Sequence, residues 1–146
     1  MELVIAGLGR MGGNMARRLH RAGHRVIAAS RHPANDDSVA ADLFDLAGNI
    51  LMVSEDVGRH NALDKLVGAA LNEGMISLQQ HILLLSGRAS FELVQKATMA
   101  GLKVIVSVGA PSSLAVQTAD EFGITLIGFA KRDKFNIYCN SEIIKA

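Results

Sequence analysis

Between residues 81 and 129 the chain repeats one pattern. A short apolar run is followed by a turn rich in glycine and serine, then by an amphipathic helical run closed by glycine. His81–Leu85, Val104–Val108 and Thr125–Phe129 are the apolar runs, and Leu93, Val94, Ala97, Ala100 and then Ala115, Val116, Ala119, Phe122 recur at helical spacing between them. Gly101 and Gly123 close the two helices. Apolar runs that alternate with single helices read as parallel strands joined by right-handed crossovers. The expectation is an α/β fold: a three-layer α/β/α sandwich with a mainly parallel sheet.

The flanking segments fill out that picture. Ala40–Leu46 and Ile50–Ser54, joined through Gly48-Asn49, read as a β-hairpin, and Phe135–Cys139 reads as a last strand. At the N-terminus, Leu3–Ala6 and Arg25–Ala29 read as strands around a helical run that carries Met15, Leu19 and Ala22. His32–Asp37 is a polar connector. It divides the chain into a Rossmann-like βαβ segment, residues 1–36, and a larger part, residues 37–146. Two strands and a helix bury too little surface to fold alone, so the first segment is expected to extend the same sheet.

Composition excludes several classes of function. The formal net charge is +1 and aromatic residues are 4% of the chain, without tryptophan. A nucleic-acid interface is therefore not expected. No apolar run is long enough for a membrane helix, and the apolar start at Leu3 is too short for a signal peptide. A single cysteine, Cys139, allows no internal disulfide and suits a cytoplasmic setting. Scattered histidines with one cysteine make no metal-ligand set.

The densest polar stretch is Ser54-Glu55-Asp56-Val57-Gly58-Arg59-His60-Asn61-Ala62-Leu63-Asp64-Lys65. From Leu63 the apolar spacing is helical, so the stretch opens a helix with one buried face. His60 shares a helix face with Asp64, and Asn61 with Lys65. Free backbone N–H groups, a partial positive charge and Arg59 together make an anion site there. Ser86, Gly87 and Arg88, and the turn Gly109–Ser113, also follow strand ends and precede helices. In open α/β sheets the ligand lies beyond the carboxyl ends of the strands. Lys131, Arg132 and Lys134 form a basic turn at the rim, and a phosphorylated or nucleotide-like ligand is the class this arrangement suits.

These segments also resemble, in order, those of the formate dehydrogenase accessory sulfurtransferases, the FdhD family. SEDVGRHNALDKLVGAAL is similar to the family's signature segment. Leu85–Lys96, Ala110–Val116, Ile127–Arg132 and Phe135–Tyr138 follow in the family's order. The resemblance covers the C-terminal part of that family, roughly Asp42 to Tyr138. It implies a cytidine-deaminase-like fold for that part and a homodimer. It further implies a cysteine desulfurase and formate dehydrogenase as partners. The implied ligand is the guanine nucleotide portion of the molybdenum bis-pterin guanine dinucleotide, or GDP, with Phe129, Ala130, Lys131, Arg132, Asp133 and Lys134 matching the family's cofactor-binding segment. The family carries sulfur on a Cys-x-x-Cys loop that this chain lacks. A cofactor-binding module without sulfurtransferase turnover and without catalytic residues of its own is therefore expected.

Gly7-Leu8-Gly9-Arg10-Met11-Gly12 sits between the first strand and its helix and resembles the start of the 6-phosphogluconate and β-hydroxyacid dehydrogenases. Gly7 and Gly9 allow a tight turn and close phosphate approach, and Gly12 allows helix packing. Ser30-Arg31-His32 replaces the usual acidic residue after the second strand, so Arg31 suits a 2′-phosphate and the dinucleotide would be NADP. Three readings stay open: an FdhD-like binding module, an NADP-binding oxidoreductase-like fragment, and a natural or engineered chimera in which no ligand matters.

Overall fold

The computed structural model describes the backbone of residues 2–6 and 25–29, and residues 39–75, 77–131 and 133–144. Strands β1 (Glu2–Ala6) and β2 (Arg25–Ala29) pair in parallel, Glu2 opposite Arg25 and Ala6 opposite Ala29. A parallel pair needs a crossover connection, as the βαβ reading requires. The helix proposed within that crossover and the glycines Gly7, Gly9 and Gly12 lie outside the described residues, as does Arg31.

The remaining elements are β3 (Val39–Asp45), β4 (Ile50–Asp56), α1 (Arg59–Asn72), β5 (His81–Leu85), α2 (Phe91–Met99), β6 (Val104–Ser107), α3 (Ser113–Glu121), β7 (Thr125–Gly128) and β8 (Asn136–Cys139), with a short 3-10 turn at Ser141–Ile143. They build a six-stranded sheet in the order β4-β3-β5-β6-β7-β8. The hairpin turn forms where Gly48-Asn49 placed it. Gly48 has φ 85°, and the Asp45 carboxylate accepts from the Asn49 backbone and side chain, both at 2.8 Å.

The α/β class is as expected, and three details differ. First, β1 and β2 form their own two-stranded sheet instead of extending the main one. Their ladder bonds are made to each other, and the six-stranded sheet ends on β4 and β8. Second, β5–β6 and β6–β7 are parallel and the hairpin β3–β4 is the antiparallel edge it was expected to be, but β3–β5 and β7–β8 are antiparallel as well. Hairpin-type connections at both flanks reverse the chain direction. Third, the described helices make one layer. β5, β6 and β7 advance in one direction, so right-handed crossovers put α2 and α3 on the same side, and α1 packs against α2 and β3 there.

That shared side holds the core. Ala41 and Leu43 of β3, Leu83 and Leu85 of β5, Ile105 of β6 and Leu126 of β7 meet Ala62, Leu63 and Leu66 of α1, Leu93, Val94 and Ala97 of α2, and Ala115 and Ala119 of α3. Alternate residues point to the other face: Asp42 and Phe44 on β3, Ile82 and Leu84 on β5, Val104 and Val106 on β6. Asp42 is a buried carboxylate, 3% exposed, with no hydrogen-bond partner at Oδ1 among the described residues. Burial, reinforced by the charge of Glu55, pushes its pKa up to about 7.

Candidate functional site

The strand registers bring the candidate-site turns named from the sequence to one end of the sheet. Leu85 lies opposite Ser107 and Ala41, Val106 opposite Ile127, and Val39 opposite Asp56. The carboxyl ends of β4, β5, β6 and β7 therefore share an edge with the amino ends of β3 and β8. Glu55–Asn61, Ser86–Ser90, Gly109–Ser113 and the turn after Gly128 all leave from it.

Backbone hydrogen bonds lash these turns together. Ser86 answers Ala40 twice, donating its N–H to the Ala40 carbonyl at 3.0 Å and accepting the Ala40 N–H at Oγ at 2.7 Å. Gly109 N–H donates to the Gly87 carbonyl at 2.9 Å, and Ser112 N–H to the Ala89 carbonyl at 2.9 Å. Phe129 N–H donates to the Gly109 carbonyl at 3.1 Å and Ala130 N–H to the Ser107 carbonyl at 3.0 Å. The buried Ser107 hydroxyl lies 3.0 Å from the Gly109 carbonyl and 3.2 Å from that of Ile127. These contacts leave no space for side chains at two positions. A Cβ on Gly109 would stand 2.8 Å from Cγ of Arg88 and 3.0 Å from its backbone nitrogen; one on Gly128 would stand 2.7 Å from Cδ of Pro111. The exposed Arg88 side chain thus lies across Gly109, at the end of β6.

The start of α1 is organised by a residue the sequence reading did not single out. Asp56 accepts from Gly58 N–H at 3.0 Å and from Asn61 Nδ2 at 3.3 Å, and its other oxygen meets Lys65 Nζ. The hydrogen bond from Lys65, then that from Gly58, lowers the Asp56 pKa to about 2. Asn61 and Lys65 share a face as expected, but both turn to this internal carboxylate. Arg59 and His60 remain beside the start of α2. There Glu92 is held below the usual carboxylate range by its own N–H, by Ser90 and, less strongly, by the charges of His60 and Arg59. The buried Ser90 hydroxyl makes no well-formed hydrogen bond, and its closeness to Glu92 still favours the ionised carboxylate. Arg88, four residues before Glu92, has no ion pair with it among the described residues.

Asp64 leaves the site. It meets Lys96 of α2 at 2.6 Å, at one end of an apolar groove of about 290 Å³ lined by Val67, Leu71, Met75 and Met99. Lys131 and Lys134 close a turn, Lys131 N–H donating to the Lys134 carbonyl at 2.9 Å, and Asp133 lies exposed within it; Arg132 lies outside the described residues. Ser86, Gly87, Arg88, Arg59, His60, Phe129, Ala130, Lys131 and Lys134 accordingly share one end of the sheet. A spare acidic residue at the end of a strand, two positions before a helix-opening glycine, was the available signal for Asp56. Nothing local marks Gly109 and Gly128, because what fills their space comes from other strands.

Comparison with known proteins agrees with this architecture. The FdhD/NarQ family matches residues 38–145. The family of coenzyme F420-dependent NADP oxidoreductases matches residues 2–60. A sulfur carrier protein FdhD of Mycolicibacterium paratuberculosis is 53% identical over 105 residues, 72% of this chain and 39% of that protein. One of Picrophilus torridus is 50% identical over 105 residues, 72% of this chain and 40% of that protein. The chain thus spans about two fifths of the length of these relatives. A solved structure of a formate dehydrogenase accessory protein from Desulfotalea psychrophila superposes with a TM-score of 0.68 at 31% identity, covering 75% of this chain and 46% of that one. With strand-end loops, helix order and family match in agreement over residues 38–145, the chain belongs to the FdhD/NarQ family.

Proposed function

We propose that this chain is a cofactor-binding module of its family. It takes the guanine nucleotide end of the molybdenum bis-pterin guanine dinucleotide, or GDP, at the strand-end loops. The observation that carries this reading is the lashing of the Ser86–Ser90, Gly109–Ser113 and Phe129–Lys134 segments around Gly109, with Arg88 laid across it. Such a frame fixes the backbone that carries Arg88, Lys131 and Lys134, and a guanidinium grips phosphate oxygens bidentately. The donors fit a diphosphate, and the pterin and metal of the bound cofactor would supply the redox chemistry of the client enzyme. The chain's own residues bind and orient.

Sulfur transfer makes a different demand. It needs a thiolate nucleophile, and Cys139 is the sole cysteine. Its sulfur packs 3.4 Å from the Ile124 carbonyl, and burial pushes its pKa up. We assign it to packing. By the same reading formate dehydrogenase and a cysteine desulfurase are its partners, and the module pairs as a homodimer. Calorimetric titration with GDP tests the site: binding weakened at least tenfold by Arg88→Ala supports it, and equal affinity of the variant rejects it.

A second reading rests on the match of residues 2–60 to NADP oxidoreductases and on the parallel register of β1 and β2. There NADP binds at Gly7, Gly9 and Gly12, with Arg31 on the 2′-phosphate. Fluorescence titration with NADPH decides it; no binding at millimolar concentration removes it.

A further inference from the structure

The main sheet ends on two strands, and the two edges are finished differently. An edge strand offers a row of unpaired N–H and C=O groups to any extended chain, and proteins blunt it with charge, proline or a covering segment. At β4 this is done: the strand carries Glu55 and Asp56, and β1 lies beside it. At β8 it is not. From Phe135 to Ser141 the chain has no charged residue and no proline. Phe135, Ile137 and Tyr138 are 49%, 38% and 37% exposed. Among the described residues, no backbone group of 135–139 makes a backbone hydrogen bond outside the ladder with β7.

The inner side of β8 is well held. Ile137 lies opposite Ile127, and Cε2 of Tyr138 stands 2.9 Å from where a Cβ on Gly128 would be. The outer side is open, and alternate side chains of an added strand would lie on the two faces of the sheet, beside Ile137 and Tyr138. β-Branched and aromatic residues suit such positions. The ends of the strand differ in charge. The turn before it, Lys131–Lys134, holds three basic residues and one acidic one, and Glu142 is the first charged residue after it. Lys131, Lys134 and Glu142 are all exposed. A tail added antiparallel brings its carboxyl end to the basic turn and its amino side to Glu142. A chain end added parallel would bring an amino group to the lysines.

We propose that β8 is the docking edge for the C-terminal tail of a partner protein, an extended apolar segment with a carboxylate end that adds antiparallel and meets Lys131 and Lys134. Main-chain hydrogen bonds hold such a strand, the side chains beside Ile137 and Tyr138 select its apolar residues, and the charged end sets its direction. The edge serves a protein partner whether or not a nucleotide occupies the neighbouring turns.

Fluorescence anisotropy on the full chain tests this with two fluorescein-labelled peptides of roughly ten residues. Both alternate valine and threonine. One closes on aspartates and a free carboxylate, the other on lysines and an amide. The expected result is saturable binding of the acid-ended peptide, weakened about tenfold or more by Ile137→Lys, which charges the edge, and by Lys134→Glu, which reverses its end. Lys134→Glu in turn prefers the base-ended peptide. Ile137→Thr, β-branched and uncharged, controls for loss of the isoleucine and keeps the parent's affinity to within a few-fold. No binding of the acid-ended peptide at millimolar concentration overturns the proposal, and so does equal affinity of Ile137→Lys and the parent. Equal binding of both peptides by the parent overturns the assigned chemistry of the tail. A dimer in sedimentation that Ile137→Lys disperses, and that the acid-ended peptide leaves intact, also overturns it, because β8 is then the contact between copies.

Discussion

Asp42→Asn is predicted to stabilise the protein above neutral pH and to leave it nearly unchanged in mild acid. Asp42 sits in the middle of β3, between Val53 on β4 and Leu84 on β5, and is 3% exposed with Oδ1 unpaired among the described residues. Burial first, and the charge of Glu55 second, raise its pKa from 3.8 to about 7. The folded state thus binds this proton more tightly than the unfolded chain. Between those two values the unfolded state holds fewer protons, so stability falls as pH rises, and the loss is complete once pH passes the folded-state value. A change of that size penalises the ionised form by roughly 4 kcal/mol at most. Local relaxation and water entry reduce it, and about 1–3 kcal/mol is the expected gain for Asn at pH 8.5. Urea unfolding followed by circular dichroism at pH 4.5 and 8.5 measures it, with equal m-values as the check that both states are comparable. A stability difference between variant and parent that is the same at both pH values would refute the reasoning. So would an NMR titration of the Asp42 carboxyl with a midpoint below 5.

Three further perturbations test the frame around the site. Gly109→Ala forces a Cβ to within 3.0 Å of the Arg88 backbone nitrogen and should cost about 1–3 kcal/mol in urea unfolding. Leu93→Ala empties a fully buried position in α2 against the sheet and should cost about 2–5 kcal/mol by the same assay. The exposed Asp64–Lys96 pair joins α1 to α2 at 2.6 Å; a double-mutant cycle should give a coupling below about 1 kcal/mol that disappears in 1 M salt.

What could be read from the sequence was what local periodicity encodes. His81–Leu85 is a strand over the span its apolar run predicts, and the helices end where Gly101 and Gly123 follow them. The pairing of faces was also legible: Asn61 and Lys65 do act together. Their common partner, Asp56, was not, because a helical wheel relates residues within a helix and Asp56 is the last residue of a strand. The partner of Asp64 lies 32 residues away on another helix, beyond any spacing rule. The antiparallel pairings beyond the hairpin, β3–β5 and β7–β8, were not legible for a related reason. Periodicity identifies strands without giving their order, and order decides both direction and which face a crossover helix covers. Alternation also concealed Asp42. It occupies the face away from the described helices, where a polar residue reads as exposed, yet it is 3% exposed.

Two glycines, at the ends of β6 and β7, tie the fold to the chemistry. Gly109 lets Arg88 lie over the backbone, and its carbonyl bends the chain at Phe129; Gly128 admits Pro111 and Tyr138. A larger residue at either would push apart the strand ends that the core residues Leu85, Ile105 and Leu126 draw together. The strand-end turns are therefore a product of close packing, and the backbone at Arg88 and Phe129 cannot be moved independently of the sheet. The proposed binding role asks only for that rigid edge. Sulfur transfer asks for a reactive thiolate on an accessible loop, which Cys139, half-buried beside the Ile124 carbonyl, does not provide. The proposed binding of a nucleotide end and the carriage of sulfur thus make physically separate demands, a rigid edge of strand ends for the one and a reactive thiolate for the other.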